Sequence, residues 1–242
     1  MVPVSFAFPF CSEELVLTPS RALYWPRENA LLVADLHLEK GSFYAQHGQM
    51  LPPYDSRETL SRLADAIKET GARCVFTLGD NFHDARGSER LDDYAAGMLD
   101  ALVRAVDWVW ITGNHDYTHS KDAEGTVRAR APGGEEVEEL ELAGIMLRHE
   151  AKAGETRPEL SGHFHPKLRL KVRDRHIARP CAVMSRDEAG SGRLILPAFG
   201  AYTGGMDAAD PAILTALQPA REIAALVPAK SKLTRFPLWN AP

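Results

Sequence analysis

The sequence predicts an α/β fold, α+β layered, from three observations. Apolar runs alternate with helical patterns through the first half of the chain, and the second half carries mostly short strand-like runs. The early apolar runs also end in Gly, Asp, Asn or His. Strand ends of layered α/β folds are where ligands gather, because a rigid scaffold there carries freely shaped loops.

Residues 14–25 read as one or two strands, broken by Pro19 and Ser20. Residues 31–34 form a buried strand that delivers Asp35-Leu36-His37. Asp55 with Glu58 three residues later reads as a capping box. Leu60, Leu63, Ala64 and Ile67 then recur at helical spacing, and Gly71 stands where a C-terminal cap belongs. Residues 74–78 are a second strand, ending in Gly79-Asp80. A second helix follows through Leu91, Tyr94, Ala95, Met98, Leu99 and Leu102. Residues 108–111 are a third strand, ending in Gly113-Asn114-His115-Asp116. Residues 118–141, with Pro132-Gly133-Gly134 and several glutamates, read as a surface loop or insertion. Residues 145–147 lead to His149, and Leu160-Ser161 leads to Gly162-His163-Phe164-His165. Residues 182–184 and 194–196 are further strands. Residues 207–217 read as a helix, and the chain from Pro228 onward as a tail.

Composition narrows the function classes. The chain of 242 residues is 45% apolar and 25% charged, which excludes a disordered segment and allows a sizeable core. A formal net charge of -5 argues against a purely electrostatic nucleic-acid binder. The three cysteines, Cys11, Cys74 and Cys181, are too few and too far apart for a disulfide framework or a thiolate zinc site. No apolar run is long enough for a membrane helix, so no membrane partner is expected. The N-terminal residues lack the pattern of a signal peptide, and a cytoplasmic location is the expectation.

The nine histidines are the unusual feature, and they cluster. Asp35, His37, Asp80, Asn114, His115, His149, His163 and His165 all follow strands. Carboxylate, amide oxygen and neutral imidazole are donors suited to Mn, Fe, Zn or Co. The pairs Asp35-x-His37 and His163-x-His165 place both side chains on one face of an extended segment.

The series Asp35-x-His37, Gly79-Asp80, Gly113-Asn114-His115-Asp116, His149, Gly162-His163-x-His165 resembles the calcineurin-like metallophosphoesterase superfamily over roughly residues 30–200. The stretches at 33–41, 79–84, 147–150 and 196–205 are similar to the DNA ligase-associated metallophosphoesterases of bacterial repair gene clusters. The resemblance implies a four-layer β-sandwich flanked by helices. Residues 1–205 would form one metallophosphoesterase domain, and residues 206–242 a C-terminal helical extension and tail. It implies two divalent metal ions, most readily Mn2+, with Zn2+, Fe or Co as alternatives. It also implies a single-strand DNA endonuclease acting in repair beside a ligase, a helicase and an exonuclease.

Carried over residue by residue, the resemblance gives Asp35, His37 and His165 to a first metal. Asn114, His149 and His163 go to a second, and Asp80 bridges both. His115 stays off the metals and faces the leaving group. The superfamily often has an acid three positions after the bridging Asp. Here that position is His83 and the acid comes one later, so either Asp84 orients His115 or His83 points into the site. The reaction expected is in-line attack by a hydroxide bridging two metals about 3.5–4 Å apart, with His115 as the general acid.

Substrate contacts are expected from Arg148, beside His149, and from the basic run Lys167, Arg169, Lys171, Arg173, Arg175 and Arg179. Alternation along a strand would give that run one basic face for a phosphate backbone, or merely a protected sheet edge. Phe43, Tyr44 and Tyr202 are candidates for stacking on bases or for the core. The ligand set serves a phosphatase or nucleotide hydrolase with a small substrate equally well. A non-catalytic scaffold on this fold would lack ligands or the catalytic His.

Overall fold

The computed structural model describes residues 5–119, 126–128, 131–188, 190–229 and 232–241. Strands β1 (Phe6–Phe10), β2 (Glu13–Leu17), β3 (Leu23–Trp25) and β4 (Ala30–Val33) form an antiparallel meander. After β4 the chain runs through α1 (Lys40–Gln46) and α2 (Asp55–Thr70) into β5 (Cys74–Leu78), which lies parallel to β4. Helices α3 (Gly87–Arg90) and α4 (Asp93–Ala105) then lead to β6 (Asp107–Ile111), parallel to β5. A short hairpin, β7 (Tyr117–His119) with β8 (Thr126–Arg128), precedes β9 (Glu135–Val137), which adds a parallel strand beside β6.

The second sheet begins with β10 (Glu139–Leu142), β11 (Ile145–Arg148) and β12 (Glu159–Ser161). After the separate hairpin of β13 (Lys167–Val172) and β14 (Arg175–Pro180) come β15 (Ala182–Arg186) and β16 (Gly192–Ile195). Helix α5 (Pro211–Ala216) precedes β17 (Glu222–Ala229) and β18 (Lys232–Asn240). The order across this sheet is β10-β11-β12-β16-β15-β17-β18, and across the first β1-β2-β3-β4-β5-β6-β9.

The two seven-stranded sheets pack face to face. Phe10, Leu15, Leu17, Trp25 and Leu32 from one meet Leu147, Leu160, Met184 and Leu194 from the other. The outer face of the first sheet buries Leu31, Val33 and Val75 against Leu60 and Leu63 of α2 and Ala95 and Leu99 of α4. The outer face of the second covers Val183, Ile195 and Ala225 with Ile213 and Leu217. This is the layered mixed α/β sandwich expected, because each sheet has two apolar faces and each needs a cover.

Local expectations mostly translate. Gly71 ends α2 in the left-handed conformation (φ 68°), donating its N–H to the Ile67 carbonyl. Asp92 caps α4, accepting from the N–H groups of Tyr94 and Ala95. The capping box at Asp55 does not form. Its carboxylate instead accepts the Gly41 N–H at 2.9 Å, which fastens α1 to α2.

Two segments depart from the sequence reading. The C-terminal tail is two strands, β17 and β18, hydrogen-bonded in series to β15. Ile223, Ala225 and Val227 alternate along β17 into the outer cluster, a period-2 signal the tail reading passed over. The polar excursion 118–141 ends in β9 and β10, edge strands of the two different sheets. Their glutamate-rich residues suit exposed edges, where charge blocks further pairing. Residues 120–125 and 129–130 of that excursion lie outside the described residues.

Candidate metal centre

The ends of β4, β5, β6, β11 and β12 converge at one rim of the sandwich. The loops after β4 and β5 are zipped together: the Asp35 N–H donates to the Gly79 carbonyl, His37 to Asp80, and Leu38 to Asn81. The segment after β16 closes over them, with the Phe199 N–H on the Ala34 carbonyl and the Gly200 N–H on that of Asp35. Asp35, His37, Asp80, His163 and His165 all have positive φ, between 44° and 73°. A non-glycine residue held there costs about 1–2 kcal/mol, so the surrounding ladder must over-determine each of them.

Two donor clusters share Asp80. Asp35, His37, Asp80 and His165 form one, and Asp80, His149 and His163 the other. The Asp80 carboxylate divides between them: Oδ2 lies 3.7 Å from Nε2 of His37, and Oδ1 lies 3.3 Å from Nε2 of His149. The His115 N–H donates to Oδ1 at 2.9 Å and fixes that orientation. Asn114 Oδ1 lies 3.0 Å from Nε2 of His149, which adds an amide oxygen to the second cluster.

Imidazole tautomers are set from behind. His149 directs Nδ1 at the Leu78 carbonyl (3.0 Å) and His115 directs Nδ1 at the His83 carbonyl (2.9 Å), so each donates there and turns its Nε2 into the site, on His149 as a lone pair for a cation. Two glycines make room. A Cβ on Gly79 would stand 2.3 Å from Nδ1 of His149, and one on Gly113 would stand 2.3 Å from the Asp80 N.

The donor chemistry fits divalent cations. Nε2 of His37 faces Nε2 of His165 at 3.2 Å, and Nδ1 of His163 faces Nε2 of His149 at 3.1 Å. Asp35 and Asp80 are buried, and among the described residues neither meets a Lys or Arg. Two buried carboxylates with no Lys or Arg beside them call for further positive charge between them. Burial, reinforced by His165 and His115, holds His37 well below the usual imidazole range. Burial and then His149 lower His163 as well. Burial opposes charge on His149 too, but the Asp80 and Asp35 carboxylates outweigh it and raise that group.

The calcineurin-like phosphoesterase family model matches residues 29–168, the span that holds every donor residue of both clusters. The chain belongs to this family. Among solved structures, it resembles the nuclease MPE of Pseudomonas putida at 26% identity and a TM-score of 0.65, over 92% of this chain and 96% of that one. It also matches Yfce, a phosphoesterase from E. coli, at 14% identity and a TM-score of 0.39, over 82% and 87% of the two chains. A search of the curated proteins finds no match.

Around the metal centre of this calcineurin-like phosphoesterase, the other expected site residues divide. His83 points inward, its ring nearly parallel to that of His115 at 5.4 Å. Burial, with Lys40 and His115 nearby, brings it down to about 4. Asp84 does not orient His115. Its carboxylate is held by the Arg90 guanidinium and by the Arg86 N–H, on the far side of the turn.

Arg148 does not reach a substrate either. It is buried at 3% exposure and pairs with Glu159 (3.1 Å), Glu139 and Glu155 (3.4 Å each). It sits next to His149 along the chain, and strand alternation turns it to the opposite side. Lys167 and Arg169 lie on one face of the β13–β14 hairpin with Lys171, while register places Arg175 and Arg179 on the other and Arg173 in the turn. Lys167 donates to the Thr203 carbonyl at 3.2 Å, and Arg169 is exposed.

Two contributors went unassigned in the sequence reading. Lys40 lies near enough to His37 and His83 to depress both. Asp116 is the last residue of Gly-Asn-His-Asp, and its buried carboxylate accepts from the N–H groups of Asn81, Phe82 and Gly113 and from the Asn81 side chain. It thereby ties the loop carrying Asp80 to the loop carrying Asn114. Its signal was present in the motif, but nothing in the residue types showed which way it turns.

Proposed function

We propose that the protein is a dinuclear metal-dependent phosphodiesterase that cuts single-stranded DNA internally. The observation that carries the reading is the division of the Asp80 carboxylate between two donor clusters, with the His115 Nε2 3.9 Å from its Oδ2. Asp35, His37 and His165 would hold one cation, Asn114, His149 and His163 the other, with Asp80 common to both. Two divalent cations, Mn2+ foremost, would acidify a water and neutralise the phosphoryl oxygens when bound there.

The chain's own residues do the rest. His115, half-exposed and held through Nδ1, presents Nε2 to the departing oxygen and donates a proton as the P–O bond breaks. A diester needs that proton because its leaving group is an alkoxide. His83, neutral at physiological pH, backs the His115 ring. Lys40, Lys167 and Arg169 supply positive charge along the approach of a phosphate backbone. Likeness to a nuclease over most of both chains supports a nucleic acid as the substrate.

The test is hydrolysis of single- and double-stranded oligonucleotides and of p-nitrophenyl phosphate, each with Mn2+, Mg2+ or Zn2+. The reading expects single-strand cutting with Mn2+. Monoester hydrolysis without any strand cutting overturns it.

A further inference from the structure

Helix α1 packs on His83 beside the proposed general acid, and neither Phe43 nor Tyr44 belongs to the buried core or to the donor clusters. Phe43 and Tyr44 are both half-exposed. The Tyr44 ring lies within 25° of parallel to the His83 ring at 5.7 Å, and His83 is in turn nearly parallel to His115 at 5.4 Å. Phe43 meets His83 edge-on at 4.7 Å and wedges it in place. Lys40 stands one helical turn before Tyr44, on the same face. Met50, in the loop that follows, is 85% exposed.

An aromatic ring in line with the general acid, beside a lysine, is the chemistry that holds a base and its phosphate. We propose that Tyr44 is the stacking platform for the nucleobase on the leaving-group side of the scissile phosphate, with Lys40 on the adjoining phosphate. The inference rests on the nuclease reading and extends it. Only an unpaired base can turn onto Tyr44, so the platform would select single strands over duplex. The aromatic row Tyr44–His83–His115 places that base one nucleotide from the reaction.

The test walks a single abasic spacer through an oligonucleotide and maps the cuts. In the wild type, cutting falls about 10-fold or more at the phosphate whose leaving-side base is missing, the scale of one base–aromatic stack. In Tyr44→Ala that position-specific gap disappears because no stack remains to be lost, and Tyr44→Phe and Tyr44→Trp restore it. A second readout does not need cutting. In a His115→Ala background, 2-aminopurine at that position is quenched on binding, and adding Tyr44→Ala abolishes the quench. A gap and quench that persist in Tyr44→Ala overturn the inference, as does an equal loss at every phosphate, which would mark Tyr44 as a support for α1 only. A wild type that cuts no strand contradicts the nuclease reading instead, and the quench then decides the platform separately.

Discussion

Asp116→Ala removes the carboxylate that joins the two loops of the bridging residue and its neighbour. Asp116 is 4% exposed and accepts four hydrogen bonds of 2.8–3.1 Å, three of them from backbone N–H groups. Leaving a buried donor unpaired costs about 1–3 kcal/mol. Three stranded donors would therefore cost several kcal/mol, offset in part because the carboxyl is itself unfavourably buried and is pushed up to about 6. A net loss of about 3 kcal/mol is expected, a large part of a domain's total stability. Urea unfolding at pH 7.5, in chelator and again with Mn2+, reads the loss. Asp116→Asn keeps an acceptor oxygen and should lose roughly half as much. The Mn2+-dependent gain in stability should shrink in both variants, because the Asp80 and Asn114 loops are no longer held in register. An Asp116→Ala protein within about 0.5 kcal/mol of wild type, with an unchanged response to Mn2+, would refute the clamp.

Three further outcomes are expected. His115→Ala should cut diester hydrolysis by about 10²–10⁴-fold while retaining metal, whereas Asp80→Ala should lose both ions; metal analysis of the two proteins checks this. Arg148→Ala should cost about 3 kcal/mol by removing the guanidinium paired with buried Glu159, with Arg193 left to offset part of the loss, and with KM for DNA unchanged; a raised KM in a fully stable variant would return Arg148 to the substrate. Burial and its cationic neighbours depress His83 to about 4 from 6.5, so its contribution to stability is present above 6.5 and is lost as pH falls through about 4. Metal-free wild type should accordingly weaken more steeply over that window than His83→Gln in urea titrations.

Much of the site was legible because its chemistry sits in short motifs at strand ends. Asp35-x-His37, Gly79-Asp80 and Gly162-His163-x-His165 each follow a short apolar strand, and three-dimensional convergence follows once those strands run side by side. The positive φ of five donors was not legible, since Asp and His do not announce a left-handed conformation as glycine does. Direction within a motif was the other blind spot. Asp84 and Arg148 lie next to site residues along the chain, yet one turns to Arg90 and the other to Glu159. Asp116, by contrast, turns inward. The tail was misread because β17 and β18 are strands only in company: their apolar alternation is interrupted by Pro228 and Pro237, and pairing with β15 supplies the rest.

A covalently closed single-stranded DNA circle with Mn2+ tests the central claim most directly, because it has no ends for an exonuclease or phosphatase to attack. The account predicts that the wild type converts the circle to linear and then shorter strands, that chelator stops it, and that His115→Ala leaves the circle closed while still holding metal. A circle that stays intact under a wild type able to hydrolyse p-nitrophenyl phosphate would contradict it.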